Sequence, residues 1–386
     1  MDHIEAIQRF LVEHHLDAVI LTTPNDLVMC CDHYPHWNGS ILVVFSNLPP
    51  KLFLPDFEPE PLKSNISISY FPWATAKSYP WEGLYEKIVK LLPTEPEVVF
   101  DSDQIQVSPS SNAAEGSILP PSFFEQFSRS DKQDQFKAQL IHLRGIKTPE
   151  QIEKLRLAHQ VANEGVKAFF TTEAGVSDGE LAALIEYQIA RQLGVQEVGY
   201  VRAYASIQSG QDTIRACQFN RTGQRILHEG DYVFLELAVC VNGYWLDITR
   251  TTVVGEPSKQ QQDVFKAVRN AINAAVEVIH PGRSLSSLYS AAAEKLRQEK
   301  LDHLFPHALG HGTGFAYHDP GLSINETNDV RLEVGQVLTI EPGVYGDEIL
   351  GGLRLEENIV VTETGYEFLS FPQTTLKGNL CQKESH

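Results

Sequence analysis

Side chains able to hold a divalent cation or move a proton cluster in the second half of the chain. Two β-rich runs, 232–241 and 244–254, flank Asn242-Gly243, the dipeptide best suited to a two-residue hairpin turn. With that turn, Glu236 falls opposite Thr249. Asp247 shares the face of Thr249, because strand side chains alternate. Glu236 and Asp247 are then diagonal neighbours, roughly 7–8 Å apart. Two carboxylates at that distance can share a pair of ions about 3.5–4 Å apart, or can form a solvated acidic face.

A second segment, HALGHGTGFAYHDP, places His307, His311 and His318 within a dozen positions among glycines. This predicts imidazoles brought close to a ligand with little steric bulk in the way. Neutral imidazole suits borderline divalent metals and also proton transfer. Further on, Glu341 ends the apolar run VLTI directly before Pro342. In LRLEENIVV, read as one strand over 353–361, Arg354 and Glu356 share a face and Glu357 takes the other. A buried acid without a partner is costly. Glu341 and Glu356 therefore need a cation, which either a metal or Arg354 can supply.

The elements that must carry these residues are legible in outline. LDAVILT (16–22), SILVVF (40–45), KLFLP (51–55) and EVVFDSD (97–103) read as strands, with a helix over 81–92, so the first part predicts an α/β layer domain. A polar, Ser- and Pro-rich stretch over 106–122 reads as a surface loop. Thr148-Pro149-Glu150-Gln151 is a strong helix start, followed by an apolar stripe of Ile152, Leu155, Ala158, Ala162 and Val166. A second start at Ser177 opens a helix striped by Leu181, Leu184, Ile185 and Leu193, and further helices follow Ser258 and Ser284. Strand pairs between these helices make the remainder α+β. The predicted domains are residues 1–140 and 141–386.

Composition narrows the function classes. The chain has 386 residues, 42% hydrophobic and 21% charged, long enough to bury a full core without disulfides. Its net charge is −19, which argues against a general nucleic-acid or anionic-membrane binder, since both need a concentrated basic surface. Five scattered cysteines (Cys30, Cys31, Cys217, Cys240, Cys381) form no CxxC pair, as expected in a reducing compartment. Ile4, Ile7, Phe10 and Leu11 lie at helical spacing, so the first residues read as an amphipathic helix and not as a signal peptide. No stretch approaches the roughly 18–20 continuous apolar residues of a membrane span. The expectation is a cytoplasmic protein.

The order of acid, a second acid eleven positions on, then histidine, glutamate and glutamate resembles the ligand set of the aminopeptidase P, prolidase and creatinase family, which has the pita-bread fold. The resemblance covers essentially the whole chain. It is most specific at GYWLDITRT, LGHGTG followed by HD, LTIEPGVY and LRLEEN, and looser over the N-terminal domain. It implies that Glu236, Asp247, His311, Glu341 and Glu356 hold two divalent ions (manganese, cobalt or zinc), which lower the pKa of a shared water. Glu341 would also move the proton, His318 would contact the substrate carbonyl, and His307 would be a further substrate-side histidine. Arg354 would hold the carboxylates by a forked contact. The implied reaction is hydrolysis of the bond before proline in short peptides, by a homodimer.

The chain departs from the family pattern in two places. Glu236 stands where the peptidases usually have aspartate. The stretch after Ser209-Gly210 offers Arg215, Cys217 and Gln218 where they usually have a substrate-binding histidine. The alternative these departures raise is a non-peptide C–N hydrolase, similar to creatinase or ectoine-hydrolase-like proteins, acting on a small amide, amidine or ring with or without metal.

Overall fold

A computed structural model of the chain describes residues 2–36, 39–58, 66–72, 80–101, 119, 121–127, 130–215 and 222–378. These divide into two compact units, Met1–Arg144 and Gly145–His386. Cys217, Gln218, Cys381 and most of the Ser- and Pro-rich stretch lie outside the described residues.

The first unit is a five-stranded sheet with helices. In chain order its elements are α1 (His3–Glu13), β1 (Ala18–Leu21), α2 (Pro24–Cys31), β2 (Ile41–Phe45), β3 (Lys51–Pro55), β4 (Ser67–Phe71), α3 (Pro80–Val89), β5 (Val98–Phe100), α4 (Pro121–Phe124) and α5 (Gln133–Gly145). The strand order is β4-β3-β2-β1-β5, with β1 parallel to β5 and antiparallel to β2. Strands β1 and β2 are buried along their whole length, which is why they read as unbroken apolar runs. Helix α1 begins where the Asp2 side chain accepts from the Ile4 and Glu5 amides, and it buries Ile7, Phe10 and Leu11. Its predicted amphipathic spacing holds.

The second unit is built on α6 (Pro149–Phe169), α7 (Asp178–Ala190), β6 (Val201–Ser209), β7 (Tyr232–Val241), β8 (Tyr244–Val253), α8 (Lys259–Glu277) and α9 (Leu285–Gln298). Seven short strands follow: β9 (Gly310–Gly312), β10 (Asp319–Ile324), β11 (Val337–Ile340), β12 (Gly343–Gly346), β13 (Gly351–Arg354), β14 (Glu357–Thr362) and β15 (Gly365–Phe368). Sheet β6-β7-β8 packs α6 and α7 through Ala158, Val166, Ile185, Leu235 and Ile248. Sheet β10-β9-β11-β14-β15 packs α8 and α9 through Val268, Ile272, Leu288, Leu338 and Ile359.

Reciprocal capping boxes open α6 (Thr148 with Gln151), α7 (Ser177 with Glu180) and α8 (Ser258 with Gln261). Ser284 occupies the N-cap of α9 without a side-chain cap bond. Two sequence expectations fail locally. Leu184 and Leu193 are exposed, at 40% and 51%: α7 ends at Ala190, and its buried face is Leu181, Ala182, Ile185 and Ile189. The run 353–361 is also not one strand. The chain leaves β12–β13 after Arg354 and joins β11 as β14 at Glu357. Leu355 and Glu356 make the crossing, and Glu356 donates its amide to the Thr249 carbonyl at 3.1 Å.

Candidate metal centre

The hairpin forms as its turn dictates. Asn242 (φ 53°) and Gly243 (φ 90°) make the two-residue turn, and Glu236 pairs with Thr249 and Ala238 with Asp247. This puts both acids on one face of β7–β8, each less than 10% exposed. His311 comes from β9, Glu341 directly follows β11, and Glu356 sits in the crossing between β13 and β14. Five sequence-distant side chains thereby converge. The donor atoms form three overlapping groups, each with all atoms within 4.8 Å of one another: Asp247, His311 and His318; His311, Glu341 and Glu356; Glu236, Asp247 and Glu356.

His311 is fixed from both sides. Its amide donates to Thr339 Oγ1 at 3.0 Å, and its Nδ1 lies 2.9 Å from the Gly312 carbonyl. The carbonyl can only accept, so Nδ1 carries a proton and Nε2 is the nitrogen turned toward the acids. That Nε2 lies 3.4 Å from Asp247 Oδ2 and 3.5 Å from Glu341 Oε1. The glycine before it serves the sheet: a Cβ at Gly310 would meet the Thr339 carbonyl oxygen at 2.1 Å. Strand packing, rather than access for a ligand, accounts for that glycine.

The His318 ring lies against that of His311, tilted by 33° with ring centres 3.7 Å apart, and its Nε2 lies 3.4 Å from Asp247 Oδ2. It is the more open of the two, with a side chain 53% exposed against 13%. His307 stands apart from the three donor groups. Its Nδ1 faces the Ala308 carbonyl at 2.7 Å and its Nε2 the Tyr345 hydroxyl at 3.1 Å. Both nitrogens are engaged by protein, and burial holds its pKa below the ordinary value.

Arg354 lies against the Phe234 ring at 4.8 Å. Its Nη2 donates to Glu236 Oε2, its Nε donates to Thr249 Oγ1 at 2.9 Å, and Nε lies 3.8 Å from Glu341 Oε2. It therefore reaches two carboxylates at once. Thr249 Oγ1 also touches Glu236 Oε2 at 3.1 Å and Glu356 Oε2 at 2.9 Å. One hydroxyl has one proton, so it serves only one of those carboxylates at a time.

This arrangement is short of positive charge and of donors. Among the described residues, Asp247 Oδ1 and Glu356 Oε1 are buried with no hydrogen-bond partner, where an unmet acceptor costs about 1–3 kcal/mol. Burial, reinforced by Asp247, pushes the Glu356 carboxyl up to about 8. Burial also opposes ionisation of Asp247, but His311 and His318 outweigh it and hold that carboxyl below its ordinary range. The same contact raises His311 against its own burial. A set of carboxylate oxygens and one imidazole nitrogen, with two buried oxygens unmet, fits hard-to-borderline divalent cations.

Two contacts and one hydroxyl escaped the sequence reading. Tyr317 donates its hydroxyl to Glu236 Oε1 at 2.7 Å. Lys147 and Asp319 form a buried ion pair below the loop that carries Tyr317 and His318. Thr249 had a signal, since the turn already places it opposite Glu236. The other two had none, because their partners lie 81 and 172 positions away.

The geometry gathers donors that fit divalent cations where a β hairpin meets a second sheet. Comparison with known proteins agrees. The model of metallopeptidase family M24 matches residues 153–363, more than half of the chain. An uncharacterized peptidase of Staphylococcus epidermidis is 28% identical over 381 residues, spanning 96% of this chain and 99% of the relative. Among solved structures, a prolidase from Pyrococcus furiosus is 26% identical with a TM-score of 0.73, covering 95% of this chain and 100% of that one. An X-Pro aminopeptidase from Thermotoga maritima has a TM-score of 0.75 at 22% identity, covering 97% and 99%. The chain belongs to metallopeptidase family M24. It is a hydrolase, with an α/β N-terminal part and a C-terminal part in the pita-bread fold. Among the described residues no helix is long and apolar enough to cross a membrane.

Proposed function

We propose that this chain is a dinuclear metallopeptidase that hydrolyses the bond before proline in short peptides. Glu236, Asp247, His311, Glu341 and Glu356 would hold two divalent ions, with manganese, cobalt or zinc all compatible with the donors. The observation that carries the reading is the convergence of these five side chains, with Asp247 Oδ1 and Glu356 Oε1 buried and unmet by a donor among the described residues. Ions held there would supply a hydroxide nucleophile near neutral pH and polarise the scissile carbonyl.

The chain's own residues do the rest. Glu341, with a side chain 15% exposed, accepts a proton from the attacking water and delivers it to the leaving nitrogen. His318, the open histidine, donates to the carbonyl oxygen as negative charge develops there. Arg354 keeps the carboxylates aligned from behind. His307, with both nitrogens occupied by protein, shapes the substrate side of the pocket instead of binding substrate directly. The prolidase and X-Pro aminopeptidase likenesses support a Xaa-Pro substrate. A cytoplasmic homodimer completes the proposal, on the cysteine usage and the family resemblance.

The test is metal content by elemental analysis after loading with manganese or zinc, followed by a screen of Xaa-Pro dipeptides. Close to two ions per chain with proline-specific cleavage is expected. Two ions without any such cleavage would redirect the search to small non-peptide amides, and no bound ion would end the metallopeptidase reading.

A further inference from the structure

Glu236 has three side-chain torsions, so its position on β7 does not by itself fix where its carboxylate points. Thr249 and Arg354 both hold one oxygen, Oε2. The other, Oε1, receives the Tyr317 hydroxyl at 2.7 Å. Tyr317 is held in turn by its ring, which stacks on His318 at 4.5 Å and 22°, and the His318 ring lies tilted against that of His311. The loop carrying both rings is tied down by Asp319, whose carboxylate accepts from the Ala316 amide at 2.9 Å and from Lys147 at 2.7 Å.

We propose that Tyr317 is a positioning residue of the metal centre, whose phenol fixes the Glu236 carboxylate beside Asp247 and Glu356. The inference rests on the reading of those acids as metal ligands. The phenol also faces Asp247, and Glu236 and Asp247 occur together in the donor group completed by Glu356, so the effect falls on that group. The group of His311, Glu341 and Glu356 includes neither. A phenol hydroxyl donates one proton to Oε1 and leaves that oxygen a second lone pair for an ion. Without the hydroxyl, Oε1 loses its donor and the ion on the Glu236 side loses an oriented ligand.

The experiment is calorimetric titration of manganese into metal-stripped wild type, Tyr317→Phe, Glu236→Asp and the double variant. Phenylalanine keeps the ring and its stack on His318, and the metal-free melting temperature separates a folding defect from lost ligation. The expected result is two ions in wild type and, in Tyr317→Phe, one of the two dissociation constants raised about 10-fold or more. The other constant stays within about 2-fold of wild type. In the Glu236→Asp background, whose shorter carboxylate is withdrawn from the phenol, adding Tyr317→Phe changes neither constant by more than about 2-fold. Unchanged affinities in Tyr317→Phe, equal weakening of both ions, or the same loss in the Glu236→Asp background would each overturn the assignment while leaving the metal centre standing. A wild type that binds no ion overturns both.

Discussion

The Lys147 ammonium lies 2.7 Å from Asp319 Oδ2, and both side chains are fully buried. Asp319 directly follows His318 and gathers the Phe315 and Ala316 amides at 3.3 and 2.9 Å, so the pair closes the loop that presents Tyr317 and His318. The ammonium also lies 5.1 Å from the centre of the Phe315 ring. Burial lowers the Lys147 pKa and Asp319 opposes that shift. Removing one member of such a pair leaves an uncompensated buried charge, at about 3–5 kcal/mol. Lys147→Met is therefore expected to lose about that much stability in urea unfolding. Adding Asp319→Asn to it should recover part of the loss. A single variant within about 1 kcal/mol of wild type would show that the pair is not what holds the loop.

Proton transfer has its own test. Glu341→Gln keeps the shape of the side chain and removes its basicity. Turnover is expected to fall by about 10²–10⁴-fold with the far-UV circular dichroism unchanged. Wild-type-like turnover in this variant would remove Glu341 from the chemistry.

Much of the centre was legible because it is built on local rules. Asn242-Gly243 fixes the hairpin, and the hairpin fixes which face Glu236 and Asp247 share. The capping boxes at Thr148, Ser177 and Ser258 mark three helix starts for the same reason: each needs only four consecutive residues. What escaped lies in contacts between distant segments. Periodicity carries no information about Tyr317 meeting Glu236, or Lys147 meeting Asp319. It also joined 353–361 into one strand, because alternation continues through Leu355 and Glu356 while the backbone changes sheets there. The contact of His307 Nε2 with the Tyr345 hydroxyl, 38 positions on, is of the same long-range kind.

His159 on α6 gives a pH prediction away from the centre. Its ring is 1% exposed, and neither nitrogen has a hydrogen-bond partner among the described residues. Burial, aided by the Arg250 charge, pulls its pKa down to about 3. An unfolded histidine titrates near pH 6.5, so below that pH the unfolded chain binds a proton that the folded chain refuses. The sign follows: stability falls as pH drops from about 6.5 toward 3. Between pH 7 and pH 5 this one group is expected to remove about 2 kcal/mol. Urea unfolding of wild type and His159→Phe at both pH values isolates it, since the other titrations are shared. Equal losses in the two proteins would show that His159 is protonated in the fold.

Metal removal should be felt in the fold as well as in turnover. Without ions, the centre sets Glu236, Asp247, Glu341 and Glu356 against one guanidinium, with two oxygens unmet. A cation that binds the folded chain and not the unfolded one stabilises it by about 2.7 kcal/mol at a hundred times its dissociation constant. Chelation is expected to lower the melting temperature by several degrees, and manganese should restore it in a concentration-dependent way. Glu356→Gln replaces the carboxylate that burial and Asp247 hold largely protonated at neutral pH. That variant should melt higher than wild type when metal-free and gain less from manganese. The crossing of those two effects separates a carboxylate kept for a cation from one kept for packing, because a packing role would lower the melting temperature of the variant in both conditions.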